Sequence, residues 1–317
     1  YVETLADLTK TDKRGRTGEQ IVADIAHKTP VHGSFPNIHH LTLVANNLLG
    51  RTIEMTNRPI VAGGQPKMDP EGKIGVHFEE FPEQAAFNRW FDGDFSEIER
   101  FVAQGWRAAL NSLDPNTTVE RVKNIVPQGR KFSNIQEVKA FADEFVQGSG
   151  LKILNFALEL LNVPGGARFT IQKRYVVLGQ PPLEEFAPYA AYVLKVEIFY
   201  YLCLRQSFIA KERASNKADI AYLYYLPFSM AFVSADNLHV RTAELFMEHG
   251  QRFVKAKDLK AALKDTDDYF SQYADEIEKI GVMRFTSYPP ADLNNLITEL
   301  WDAFMRPDWR EVEDDRK

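Results

Sequence analysis

The run NKADIAYLYYLPFSMAFVSADNLH, residues 216–239, constrains the fold more than any other stretch of this chain. DIAYLYYL has helical spacing and ends at Pro227, because proline disfavours helical backbone at the residue before it. FSMAFVS reads as a buried strand. Beyond it, NLHVRTAELFMEHG reads as a helix stopped by Gly250, RFV as a short strand, and AKDLKAALKDTDDYFSQYADEIEKIG as a helix or helix pair. Helix, strand, helix, strand and helix at this short spacing predict a parallel α/β unit.

The rest of the chain reads differently. Tyr1–Val2 reads as the end of a strand, followed by a helical start, a basic loop and the helix GEQIVADIAHK. The Gly- and Pro-rich stretch 29–82 holds one amphipathic helix, NIHHLTLVANNLLG, with Asn37 as its N-cap and Gly50 as its stop, then a loop with short strands. From Pro82 to about Leu113, and again over 134–147, 151–162 and 184–214, apolar residues recur every three or four positions, which is helical periodicity. The tail from residue 288 adds a helix and a solvated end. The opening YVETLADL, without an initiator methionine, reads as a chain whose natural beginning is absent.

In a parallel α/β unit, helices begin near the carboxyl edge of the preceding strand, and the next strand returns to that edge, where ligands bind. Asp219 opens its helix and Asp236 follows the next strand, so both are expected at one edge. Glu3 and Asp7 occupy the first turns after the opening strand stub and, four apart, share a helical face. Three or four carboxylates with no required histidine or cysteine suit Mg²⁺ or Mn²⁺, ions that activate water and stabilise a leaving oxygen in phosphodiester cleavage.

These segments resemble PIN-domain nucleases: TLADL matches that family's second acidic segment, and DIAYLYYLPFSMAFVSAD its last two, with Ser234 closing the strand before Asp236. The family's mid-chain glutamate maps to Asp7, with Glu3 as the competing assignment. The resemblance implies metal-dependent cleavage of RNA or another single-stranded nucleic acid. The expected fold is then helix-rich α/β with a small parallel sheet in three layers. Its core is split between residues 1–30 and 205–275 by a mainly helical insertion, 31–204, with a C-terminal helix and tail over 276–317. The family's first aspartate has no counterpart here and would have preceded Tyr1; the acidic segments also stand much further apart than in compact members.

Each candidate also has a plainer reading. Asp219 suits a helix start and Asp236 an N-cap. His239, one turn after Asp236, orients water or substrate, or is a half-buried structural histidine. Glu197 sits in a strongly apolar helix as a satisfied buried group or a contributor to the site. Lys10, Lys13, Arg14 and Arg16, and then Arg205, Lys211, Arg213 and Lys217, flank the two acidic segments, as phosphate contacts or as solvated faces. Tyr222, Tyr224 and Tyr225 are stacking surfaces or core. His32, His39 and His40 lack accompanying cysteine and regular spacing, so zinc is not expected. The net charge of -6 argues against a generally basic surface without excluding a local basic groove. A single cysteine, Cys203, excludes an internal disulfide and suits a reducing cytoplasm. No apolar run approaches the ~20 residues of a membrane span. The alternative to a nuclease is a non-catalytic PIN-like or other α/β scaffold that binds a protein or nucleic-acid partner through its helical insertion.

Overall fold

The computed structural model describes residues 2–12, 14–29, 37–60, 63, 65–68, 70, 72–78, 81–112, 116–210 and 215–314. The chain divides into two compact units, residues 1–55 with 59–224, and 56–58 with 225–317. The division at Tyr224 and Tyr225 falls inside the 205–275 segment that the sequence assigns to a single core. No helix among the described residues is long and apolar enough to cross a membrane.

Among the described residues, the first unit is helical apart from one hairpin. Its helices are α1 (Val2–Ala6), α2 (Gly18–Lys28), α3 (His40–Leu48), α4 (Pro82–Phe91), α5 (Glu97–Ser112), α6 (Asn116–Lys123), α7 (Ile135–Val146), α8 (Leu151–Leu160), α9 (Gly165–Val177), α10 (Leu183–Phe186), α11 (Pro188–Arg205) and α12 (Asn216–Ala221). Strands β1 (Gln65–Met68) and β2 (Ile74–His77) pair antiparallel, Gln65 opposite His77. The expected strand stub is not there, since Val2 already begins α1; two residues are too short a signal against the helical run that follows them. Asn37 does not cap α3 either: His39 does, its Nδ1 accepting from Leu41 N.

The hub of this unit is α11, which packs against α3, α6, α7 and α10. Fourteen of its eighteen residues are buried, so it is apolar on all sides, as a central helix must be. Pro188 opens it, and Asn47 on α3 caps it from outside: Asn47 Oδ1 accepts from Tyr189 N at 2.9 Å and Ala190 N at 3.1 Å. A separate cluster of Leu5, Val22, Ala26, Ala86, Trp90 and Ala103 joins α1, α2, α4 and α5. There α2 begins so close to the preceding turn that a Cβ on Gly18 would collide with the Leu8 carbonyl and lie 2.7 Å from Asp7 O. Gly18→Ala is therefore expected to lower stability by about 1–3 kcal/mol through backbone overlap, read as a drop in the thermal midpoint. An unchanged midpoint would show that the turn yields freely.

The second unit holds the predicted α/β element. Strand β3 (Ala231–Ser234) leads into α13 (Asn237–Thr242), and β4 (Arg252–Lys255) into α14 (Ala256–Phe270). The strands pair parallel, Ser234 opposite Lys255. Helices α15 (Ala274–Ile280), α16 (Val282–Phe285), α17 (Leu296–Phe304) and α18 (Trp309–Asp314) complete it. Helix-rich α/β with a small parallel sheet is thus the observed class.

Candidate functional site

In the second unit, the carboxyl edge of the parallel pair carries three of the predicted site residues. Ser234 ends β3, and its Oγ accepts from Asp236 N at 3.0 Å. Asp236 caps α13, its Oδ1 accepting from Leu238 N at 2.6 Å. His239, on the first turn of α13, is buried, lies edge-on to Phe232, and shares a 2.8 Å hydrogen bond between its Nδ1 and Ser234 Oγ. The plain reading of Asp236 as a cap holds, and the cap also fixes where its second oxygen stands. Lys255 ends β4 opposite Ser234, and Lys257 and Asp258 follow in the first turn of α14; all three are exposed.

The first unit holds Asp7 and Asp219. Asp7 lies in a single turn of 3-10 helix after α1, where Lys10 Nζ stands 2.5 Å and Arg107 Nη2 3.3 Å from its Oδ1. Those two cations bind it as a structural ion pair to α5. Glu3 lies on α1, with its side chain outside the described residues. Asp219 sits in the first turn of α12, as expected. However, the regular element before α12 is helix α11, not a strand, so Asp219 is not at a strand's carboxyl end. Arg213 lies outside the described residues, and Arg14 is exposed in the basic loop, its N–H donating to Asp12 Oδ1 at 2.8 Å.

Lys217 is committed elsewhere than to phosphate. It forms an ion pair with the buried Glu197 of α11 and donates to Tyr224 OH at 3.1 Å, while the Tyr224 hydroxyl itself donates to Glu197. Its ammonium also lies 5.3 Å from the ring centre of Tyr200 and 5.1 Å from that of Tyr201. Burial, reinforced by the Glu197 charge, holds the Tyr224 hydroxyl well above its usual pKa, so it stays a donor. Both plain readings hold here: Glu197 is a satisfied buried group and Tyr224 is core. Sequence could not join them, because a helix end and a loop separate the partners.

The His40 ring lies tilted against Tyr224, ring centres 4.7 Å apart, and against His39 at 4.5 Å. Burial first, then the charges of His39 and Lys217, lower its pKa from 6.5 to about 4. The unfolded chain therefore takes up this proton before the folded one does. Stability from His40 is full above pH ~6.5 and is lost as pH falls toward about 4. Between pH 7 and pH 5 the expected loss is on the order of 1–2 kcal/mol. It is read from urea midpoints, and His40→Asn should remove that share of the slope; an identical slope in the variant would contradict the assignment.

Among the described residues, no group of three or more His, Cys, Asp or Glu side chains is placed to hold a metal ion. With Asp7 bound by two cations and one oxygen of Asp236 spent on its cap, the described side chains do not fit a carboxylate metal centre. No protein-family model, curated protein or solved structure matches this chain.

Proposed function

We propose that this chain acts on RNA, holding a single strand at the carboxyl edge of β3 and β4 and hydrolysing its phosphodiesters, in a reducing cytoplasmic setting. The observation that carries the reading is the register of the parallel pair. It sets Ser234 beside Lys255 at the sheet edge where open parallel sheets bind ligands, with Asp236 two residues on. Lys255 and Lys257 supply exposed charge for phosphate, and the Ser234 hydroxyl a hydrogen-bonding group fixed by His239. The reaction class and its dependence on Mg²⁺ or Mn²⁺ come from the PIN-like segment that ends in Ser234 and Asp236. As the described carboxylates do not form a metal centre, no step is assigned to an ion.

A second reading, a scaffold that binds a protein partner through its helical part, is favoured by apolar side chains left in solvent there. Phe169 and Val177 on α9 are 74% and 76% exposed, and Ile98 and Phe101 on α5 are 75% and 76% exposed.

One assay separates the two. The chain is incubated with end-labelled single-stranded RNA and Mg²⁺ or Mn²⁺, beside the variant carrying Asp236→Asn. The nuclease reading expects cleavage by the parent and none by the variant. Cleavage that survives the substitution would rule out this aspartate. Absence of both cleavage and salt-sensitive RNA binding would leave the scaffold.

A further inference from the structure

A cavity of about 250 Å³ opens in the first unit between the end of α3, helix α9 and the junction of α10 with α11. Its wall includes Arg51, Thr52, Arg174, Glu185 and Pro188. Two arginines therefore contribute to the wall of one small space. Among the described residues neither makes an ion pair with a carboxylate, although the exposed Glu185 stands at the rim.

The packing around Arg174 holds its charge at this wall. Its Nη1 donates to Leu48 O at 3.1 Å and to Phe186 O at 3.4 Å, and its guanidinium carbon lies 4.2 Å from the Phe186 ring centre. Nε and Nη2 make no hydrogen bond among the described residues. Gly50 completes the arrangement. Its φ of +100° suits glycine, and a Cβ there would come 2.8 Å from Arg174 Nε, so a side chain would push the guanidinium away. Burial lowers the Arg174 pKa. Asn47 ties the facing loop in place by donating to Arg51 O at 3.2 Å. The amino end of the eighteen-residue helix α11, at Pro188, adds the positive end of its dipole. Its first amides are already capped by Asn47 and supply no donors.

We propose that this cavity binds a phosphate dianion, free or as the monoester of a small molecule, held between Arg174 and Arg51. Arginine suits this task because its planar fork presents parallel N–H donors to phosphate oxygens. Thr52 offers a further hydroxyl, and Glu185 at the rim accepts from a hydroxyl of an esterified ligand. The space is too small for a dinucleotide, and the site is independent of the RNA edge proposed for the second unit.

The test is calorimetric titration of the full-length chain with inorganic phosphate and, separately, with ribose 5-phosphate. Variants are Arg51→Ala, which removes an exposed guanidinium, and Arg174→Lys, which keeps the charge and loses the fork. Circular dichroism establishes that each variant is folded. Binding by the parent is expected, weakened roughly tenfold or more in both variants, as loss of a charged hydrogen bond implies. Tighter binding of the ester identifies a monoester as the ligand, and equal or tighter binding of inorganic phosphate identifies the free anion. No heat with either probe at tens of millimolar would overturn the proposal. So would folded variants that bind as the parent does.

Discussion

Replacing Glu197 with alanine is expected to destabilise the first unit by about 3 kcal/mol, among the largest losses from any single substitution in the chain. Glu197 is 6% exposed, and it pairs with Lys217 while accepting the Tyr224 hydroxyl. Removing it leaves an ammonium among the rings of Tyr200, Tyr201 and Tyr224, and a fully buried hydroxyl without its acceptor. Lys217 is 30% exposed and can turn toward water, so the cost falls at the lower end of the range for broken buried pairs. Glu197→Gln should cost less, because an amide oxygen still accepts from Tyr224. Glu197→Leu combined with Lys217→Met should also cost less than the alanine variant, since removing both charges leaves no unpaired ion. Urea unfolding of each variant reads these differences. A loss below about 1 kcal/mol for the alanine variant would show that water reaches the pair freely.

Reversing the charge of Lys255 and Lys257 together is expected to weaken binding of single-stranded RNA by roughly ten- to a hundredfold at moderate salt. Both ammonium groups are exposed at the end of β4 and the start of α14, so the substitutions leave packing intact. If each neutralises one phosphate, the slope of log affinity against log salt should become shallower by about 1.4. Fluorescence anisotropy over a salt series measures both quantities. Unchanged affinity and slope would place any nucleic-acid contact elsewhere.

The α/β element was legible because FSMAFVS and RFV are short runs bounded by Pro227, Gly250 and helical spacing, although β3 starts only at Ala231 and is partly rather than fully buried. Asp236 and Ser234 followed from it, because a strand's end fixes where its next residues stand. Asp219 was placed correctly on its helix, yet its position relative to a sheet depended on what precedes it, and that element is α11. Helix α9 went unread: it starts with Gly165 and Gly166, and its apolar residues Phe169, Ile171, Tyr175, Val176 and Val177 point both inward and outward, which blurs the period. The Glu197–Lys217 pair and the Arg174–Gly50 approach join residues from distant segments. Only tertiary packing brings such groups together, and no spacing rule signals it.

Cross-linking of the full-length chain to single-stranded RNA carrying 4-thiouridine, with the attachment sites read by mass spectrometry, tests the central claim most directly. Attachment within residues 229–239 and 252–260 is predicted, lost at high salt and reduced when Lys255 and Lys257 are reversed. Attachment confined to α5, α8 and α9, or none at low salt, would contradict an RNA site at the carboxyl edge of β3 and β4.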